Sequence, residues 1–397
     1  MKKLFTLMAA ICCAMFVMAD DKPQLDSVIS NIPFLGGKQK YVYTYDKKGR
    51  TTEEIQYYWN DKTAKWGNGY KYTIEYNASN DTTLWTRLQW SEEKDTWVND
   101  QMKEYTWKAK GIKTVETTSN WKNNAWVAST KYSWKYNTSN KCTEYLYQTW
   151  STSDNGWINN YRETYSVDGK GNRTSKVEES WYNATWNFTK KTDYTYNSDN
   201  QVTIEITYTR SNDDWQGQYK YETIYQNGKK TKYTCMQYDA SAKEWNKYYQ
   251  YLYTYDDNNN LTLEEYFDWD NTGEGSWKKT AENTYTYNGN NDVLTEIRRE
   301  LDTEKGTFVE TQKLENAYDA KTGVLLRTRF YVLSATTKKM ELAYSFTYYY
   351  QGVEPLGIVK VESGELKVER SHKFIRNGQL LIERDGQIFN LNGARVK

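Results

Sequence analysis

The stretch from Tyr249 to Thr262, YQYLYTYDDNNNLT, decides the fold of this 397-residue chain. Tyrosines occupy every second position from Tyr249 to Tyr255, and a cluster of Asp and Asn follows them. Side chains of a β-strand alternate between two faces, and Asp and Asn favour turns. The stretch therefore predicts a strand with one aromatic face that runs into a turn.

The same pattern returns at intervals of 29 to 32 residues along most of the chain. In each copy an aromatic anchor residue stands just before a polar turn. A period of this length that is held over so many copies indicates a tandem repeat. The anchors are Tyr45, Tyr76, Trp107, Tyr136, Tyr165, Tyr196, Tyr225, Tyr255, Tyr287, Tyr318 and Tyr348.

A second aromatic feature lies between successive anchors, where two aromatic residues bracket a short polar segment. Each repeat of about 30 residues therefore has two turns and two strands, which is a β-hairpin. The brackets are Trp59/Trp66, Trp90/Trp97, Trp121/Trp126, Trp150/Trp157, Trp181/Trp186, Tyr208/Trp215, Tyr238/Trp245 and Trp269/Trp277.

These patterns predict an all-β fold of tandem hairpin repeats that form an elongated, curled, solenoid-like antiparallel meander. The alternative is a five-bladed β-propeller with two repeats in each blade. The sequence leaves open whether the sheet is open or closed. An outer-membrane barrel is disfavoured, because Lys, Thr, Glu and Gln stand between the aromatic residues where a lipid-facing sheet needs an apolar band.

The N-terminal segment resembles a signal peptide. Lys2 and Lys3 precede an apolar run that ends near Ala19 and is shorter than the about 20 residues that span a bilayer. We therefore expect a signal peptide at 1–19, a leader at 20–40 with prolines and glycines that break regular structure, and the hairpin array at 41–352. The mature protein is expected outside the cell, secreted or on the outer surface, without a transmembrane span.

Only Cys142 and Cys235 remain after removal of this signal peptide. They lie three repeats apart, and six strands of about 4.8 Å each would separate them by far more than the reach of a disulfide. We expect two free thiols.

Two copies carry a family resemblance. Tyr253-Thr254-Tyr255-Asp256 and Tyr43-Thr44-Tyr45-Asp46, each followed by a polar turn, resemble the YD (RHS-type) repeats of bacterial surface and toxin proteins. That resemblance implies hairpins that build a long spiralling β-sheet and an extracellular setting. We expect no toxin-like domain after the array.

After Tyr350 the composition changes, and a C-terminal segment at 353–397 is predicted to form a small β-meander with two Asn/Asp-Gly turns. Its ending, Ile388 through Val396, is similar to the sorting segments of secreted Bacteroidetes proteins. The resemblance implies contact with export or sorting machinery. A simple capping hairpin for the array is the alternative.

The residue inventory argues against several kinds of chemistry. The single histidine, His372, lies in the tail, which excludes a histidine triad or a His-rich zinc site in the array. Adjacent carboxylates such as Glu178 and Glu179 point to opposite faces of a strand and cannot act as a pair. The segment 256–260 is read as a turn rather than a calcium loop. We expect no catalysis, cofactor or metal.

Charge also limits the partners. Without Lys2 and Lys3 the chain has 51 basic and 52 acidic side chains, a net charge of −1, so bulk charge does not attract nucleic acid.

The tryptophans are the candidates for ligand binding, because rigid indole rings can stack on sugar rings. Each bracket can also be a cross-strand pair that closes its hairpin. The leading hypothesis is adhesion or glycan binding, with a polysaccharide or a surface protein as partner. The alternatives are a purely structural stalk or scaffold and, less favoured, a glycoside-active enzyme. The candidate binding residues are Trp59, Trp66, Trp90, Trp97, Trp121, Trp126, Trp150, Trp157, Trp181 and Trp186.

Overall fold

The computed structural model describes residues 23–211 and 213–353, together with six short strands between 359 and 396. Twenty-two antiparallel strands form one sheet, and the predicted all-β hairpin meander is confirmed. The only helical element in these residues is a 3₁₀ turn at Pro33–Leu35. The strands are β1 Leu25–Ile32, β2 Gly37–Tyr45, β3 Thr51–Asn60, β4 Lys65–Tyr76, β5 Thr82–Ser91, β6 Thr96–Ala109, β7 Ile112–Lys122, β8 Ala125–Tyr136, β9 Cys142–Ser151, β10 Gly156–Val167, β11 Arg173–Tyr182, β12 Thr185–Tyr196, β13 Val202–Ser211, β14 Asp214–Gln226, β15 Lys229–Asp239, β16 Glu244–Tyr255, β17 Leu261–Asp270, β18 Ser276–Tyr287, β19 Val293–Asp302, β20 Thr307–Tyr318, β21 Leu325–Leu333 and β22 Met340–Tyr350.

The sheet closes on itself. Each strand pairs with the next along the chain, and β1 pairs with β2 on one side and with β22 on the other. Val28, for example, is opposite Tyr41 in one ladder and Tyr348 in the other. In the described part of the chain the closest backbone contacts of each strand are with its ladder neighbours. The result is a single-layered closed sheet and not a set of propeller blades.

Strand β1 corrects the expected leader at 20–40. Pro33, Gly36 and Gly37 form the connection after β1, where both glycines have positive φ. Within β1 itself Val28, Ser30 and Ile32 alternate on one buried face, which is a strand pattern. The prolines and glycines therefore bound this strand and do not prevent it.

The aromatic residues lie on two faces, which corrects the expectation of one aromatic face. Tyr249, Tyr251, Tyr253 and Tyr255 define the tyrosine face of the sheet. Trp245 lies an even number of residues before Tyr249 on the same strand, so simple alternation would place both side chains on one face. The unpaired bulge residue Tyr248 lies between them and reverses the alternation. Trp245 therefore points to the opposite face of the sheet, which we call the tryptophan face. Ten hairpins carry an equivalent bulge, at Gly69, Asp100, Ser129, Asn160, Thr189, Gln218, Tyr248, Thr280, Thr311 and Ala343.

Seven of the polar turns after the anchors share one hydrogen-bonding scheme, in which an Asp or Asn side chain accepts from backbone N–H groups of its own turn. In the turn that starts at Asn77, the side-chain Oδ1 accepts from the backbone N–H of Ser79 and Asp81, and Asn80 adopts a φ of 70°. The expectation that these turns use residues that tolerate positive φ is confirmed. Asp256 accepts from the N–H of Asn260 in the same way, so the segment 256–260 is a turn.

The anchors tie each repeat to the preceding one. The Tyr255 hydroxyl donates to the backbone carbonyl of Lys230, at 2.9 Å, which is the residue opposite the previous anchor Tyr225. Nine anchors donate in this way, and Trp107 does so through its indole Nε1, 2.7 Å from the carbonyl oxygen of Thr82. The other eight are Tyr45, Tyr76, Tyr136, Tyr196, Tyr225, Tyr255, Tyr287 and Tyr318.

The most buried apolar cluster lies where the sheet closes. It joins Leu25, Val28 and Ile32 of β1 to Tyr344 and Phe346 of β22. Elsewhere most strand residues are partly exposed, as expected for one layer of sheet.

The ends of the chain are described only in part. The tail contains the short strands β23 Val359–Lys360 and β24 Lys367–Val368, and a separate antiparallel sheet of β25 Ser371–Arg376, β26 Gln379–Arg384, β27 Gln387–Asn390 and β28 Arg395–Val396. The expected signal peptide and the two Asn/Asp-Gly turns lie outside the described residues.

Cys142 and Cys235 are free, as predicted. In the described part of the chain we find no helix with the length and apolarity needed to cross a bilayer.

Candidate functional site

The hairpin ends with the tryptophans stand apart from the continuous sheet. The β6–β7 ladder stops at Gln101 and Asn120, whereas the β5–β6 hairpin stays paired to Ser91 and Thr96. Beyond the bulge, each hairpin is therefore free to separate from the next. We call these hairpin ends fingers and number them along the chain: finger 1 is 57–68, finger 2 is 88–99, finger 3 is 119–128, finger 4 is 148–159, finger 5 is 179–188, finger 6 is 208–217, finger 7 is 236–247 and finger 8 is 267–279.

The ten candidate tryptophans form five pairs, one across each of fingers 1 to 5, and Trp269/Trp277 forms a sixth in finger 8. Their ring centroids are 5.0–5.2 Å apart at interplanar angles of 65–75°, an edge-to-face arrangement. All ten candidate tryptophans are partly exposed. An edge-to-face pair stabilises its hairpin by about 0.5–1.5 kcal/mol beyond the effect of the apolar area that it buries. The pairs therefore hold the two strands of each finger together, and part of each ring surface remains exposed to solvent.

Finger 6 departs from the predicted bracket. Trp215 is opposite Arg210, whereas Tyr208 is opposite Gly217. The guanidinium of Arg210 lies 5.3 Å from the Trp215 ring centroid, and Trp215 makes an edge contact with Phe188 of finger 5. The expected Tyr208/Trp215 pair was wrong because the loop of finger 6 is shorter than the spacing of the two aromatic residues implies.

An open cleft lies between fingers 2 and 3. Its volume is about 470 Å³, and two of the candidate tryptophans, Trp97 and Trp121, face it from neighbouring fingers. The side-chain amides of Asn99, Asn123 and Asn124 make no hydrogen bond to the part of the protein that the structure describes. The cleft is lined by Lys94, Trp97, Val98, Asn99, Trp121, Asn123 and Asn124.

In most other fingers a cation lies over one tryptophan ring. Arg162 lies 4.5 Å from the centroid of Trp186, and Lys247 lies 4.2 Å from that of Trp269. Lys38 and Lys131 lie over Trp59 and Trp157 at 5.7 and 5.4 Å. Among residues 23–211 and 213–353, no lysine or arginine lies over either tryptophan of finger 2 or finger 3. These two fingers therefore keep the least obstructed indole faces.

The finger loops are predominantly acidic. Glu92, Glu93 and Asp95 flank Lys94 at the end of finger 2, and Lys122 is the charge in the loop of finger 3. In other loops, hydrogen bonds from Ser241 lower the pKa of Asp239, and the Lys278 ammonium lowers that of Asp270. These carboxylates stay ionised at neutral pH.

The tyrosine face contains a carboxylate pair that the sequence did not reveal. Glu163 of β10 is opposite Glu178 of β11, whereas Glu179 points to the tryptophan face, as predicted for adjacent residues. Burial raises the pKa of Glu178, but hydrogen bonds from Lys176 and Tyr161 outweigh this and lower it overall. A glycosidase acid needs a raised pKa, so Glu178 is not held in the protonation state that this role requires.

Metal ligation finds no support in the described residues. No three His, Cys, Asp or Glu side chains converge there in an arrangement that could hold a metal ion.

No protein-family model matches the chain, and no curated protein matches it. Solved structures resemble parts of it at low identity. A Bacteroides fragilis protein of unknown function shares 18% identity over 32% of this chain and 88% of its own, with a TM-score of 0.27. A DUF3836 family protein from Bacteroides vulgatus shares 22% identity over 23% of this chain and 90% of its own, with a TM-score of 0.21. The Photorhabdus luminescens Tc holotoxin pore shares 11% identity over 90% of this chain and 23% of its own, with a TM-score of 0.30.

Proposed function

We propose that this protein is an exported, surface-associated, non-catalytic binding protein that captures glycans through its tryptophan fingers. The observation that carries the proposal is the cleft between fingers 2 and 3, where two indole rings and three unpaired amides face the same space. Indole faces stack on the C–H faces of sugar rings, and amides donate to and accept from sugar hydroxyls.

The fingers are built as rigid platforms. Each has two β-strands and a loop, and every finger except finger 6 has an aromatic pair that fixes the ring positions before a ligand arrives. Preorganised aromatic groups lose little conformational entropy on binding, which favours affinity from a small contact area. Repetition of the fingers along one edge also allows one polymer to contact several of them.

The export part of the proposal rests on sequence alone. Its support is the signal-peptide pattern at 1–19 and the similarity of the tail, through Ile388 to Val396, to sorting segments. By this proposal the tail contacts export or sorting machinery and places the protein at the cell surface. The alternative function is a structural stalk, which the single-layered closed sheet would also suit.

The test is a pull-down of residues 20–397 on insoluble polysaccharides, combined with titration of soluble polysaccharides followed by intrinsic tryptophan fluorescence. We expect saturable binding that shifts or quenches the emission, because the candidate rings would contact the sugar. Absence of binding to every polysaccharide in a broad panel would instead favour the structural stalk.

A further inference from the structure

The fingers are not equivalent, and their differences bear on where a sugar binds. Fingers 1, 4, 5 and 8 each have a cation over one tryptophan ring. A guanidinium or ammonium on an indole face occupies the surface that a sugar ring would use, and it gains favourable interaction there. A ligand that stacks on one of these covered ring faces must displace the cation, whereas at fingers 2 and 3 it need not.

Fingers 6 and 7 are closed by direct packing. Trp215 contacts Phe188, which brings finger 6 against finger 5. Gly217 of finger 6 approaches the bracket of finger 7 so closely that an added Cβ would lie 2.9 Å from Trp245 and 3.0 Å from Tyr238. A sugar ring does not fit between elements at this distance.

The cleft between fingers 2 and 3 also has uncharged polar groups that nothing else uses. Asn123 and Asn124 form the tight loop of finger 3 with φ of 50° and 60°, and Asn99 lies across from them on finger 2. The only charged residue in the lining is Lys94, and Glu92, Glu93 and Asp95 surround it in sequence. Counting Lys122, the two loops carry three carboxylates and two ammonium groups, so the surroundings of the cleft have no net positive charge that would favour an anionic ligand.

We infer that the cleft between fingers 2 and 3 is the principal sugar site of this chain and that it takes one ring of a neutral glycan. This rests on the proposed function and narrows it to one site and one ligand class. The tryptophans Trp97 and Trp121 supply the apolar walls, and Asn99, Asn123 and Asn124 bind the hydroxyls. The other fingers contribute secondary contacts to a long polymer.

The deciding variant is Asn123→Gly with Asn124→Gly. Glycine adopts positive φ without strain, so the loop keeps its shape while both amides are removed. The matched control is Asn183→Gly with Ala184→Gly in finger 5, whose loop has the same positive-φ geometry at 52° and 58° but whose bracket is covered by Arg162.

Binding is measured by isothermal titration calorimetry of the full mature chain with neutral hexasaccharides (malto-, cello-, xylo- and manno-) and with hexagalacturonate as the acidic probe. We expect a stoichiometry near one with at least one neutral probe and weaker binding of hexagalacturonate. The finger 3 variant should weaken binding about tenfold, as expected for lost hydrogen bonds, and the finger 5 variant less than about twofold.

Several results would overturn the inference. These are equal losses in the two variants, a stoichiometry well above one, or hexagalacturonate binding as tightly as the neutral probes. In each of these cases glycan binding itself would stand and only its assignment to this cleft would fail. If the unaltered protein binds none of these probes or any polysaccharide of the panel, the proposed function fails together with the inference.

Discussion

The aromatic anchors show why this chain uses tyrosine and tryptophan at these positions and not phenylalanine. In a single-layered sheet the rings cannot be sealed in a thick core, so their polar ends must be paired. The hydroxyl of Tyr255 donates to a backbone carbonyl of the neighbouring strand, and Trp107 reaches an equivalent carbonyl with its indole N–H. The excess of 38 Tyr and 17 Trp over 10 Phe predicted this character, but not the carbonyl partners.

Removal of one anchor hydroxyl should therefore destabilise the fold. We expect Tyr255→Phe to lower the free energy of unfolding by about 1 kcal/mol, because the Lys230 carbonyl loses its donor. Urea denaturation measures the change. Tyr248→Phe, at an exposed bulge position, is the control and should change stability by less than about 0.5 kcal/mol. Equal effects of the two substitutions would argue against the role of the anchor hydroxyl.

Glu54 predicts a dependence of stability on pH. Burial raises the pKa of Glu54 from 4.5 to about 7. Because the unfolded chain releases this proton at lower pH than the folded protein, stability should fall as pH rises from about 4.5 to about 7 and then level off. We expect Glu54→Gln to be more stable than the unaltered protein at pH 8, by about 2 kcal/mol, with little difference at pH 4.

The matched control for this prediction is Glu53→Gln, one residue away on the other face and ion-paired with Lys71. Thermal unfolding at several pH values distinguishes the two variants. A Glu54→Gln variant that showed the same pH profile as the unaltered protein would contradict the assigned pKa.

At the scale of the hairpin, the bulge is the feature that sequence periodicity could not supply. The tryptophan and tyrosine positions of one strand have the same parity, so alternation alone places them on one face. A single unpaired residue, such as Tyr248, reverses the face between them. The bulge residues are of different types, glycine at Gly69 and threonine at Thr311 for example. The residue type therefore does not predict where a bulge occurs.

The brackets were predictable to a greater extent. Aromatic residues at a spacing that fits a short loop pair across strands, and all five candidate tryptophan pairs do so. Finger 6 differs because its pairing depends on loop geometry and on a contact with the neighbouring finger. The cations over the rings and the open cleft also depend on neighbours in the sheet, and so they were not visible in one repeat.

The close packing of fingers 6 and 7 gives a prediction at this scale. We expect Gly217→Ala to lower the free energy of unfolding by about 1–3 kcal/mol, since its Cβ would meet Trp245 and Tyr238. Gly289→Ala is the control, because nothing lies within 4 Å of a Cβ at that position. Chemical denaturation of both variants is the measurement. A loss no larger at Gly217 than at Gly289 would show that the fingers are farther apart.

At the scale of the whole molecule, closure is what holds the two ends of the repeat array. An open meander leaves the edges of its first and last strands unpaired, and such edges invite aggregation. Here β1 pairs with β2 on one side and with β22 on the other, so neither edge is left unpaired. The same contact forms the apolar cluster of Leu25, Val28, Ile32, Tyr344 and Phe346. The sequence left closure undecided, because it depends on a pairing between residues more than 300 positions apart.

The most direct test of this architecture is a cross-link between β1 and β22. Ile29 is directly opposite Thr347, and such ladder partners have Cβ atoms about 4.5–5.5 Å apart. The variant Ile29→Cys with Thr347→Cys is oxidised, and the disulfide is mapped by mass spectrometry of the monomer. A ladder pair within the array, Thr254→Cys with Leu263→Cys, serves as the positive control. We predict that both disulfides form with similar yield; formation of the control alone would show that the sheet is open and contradict the account.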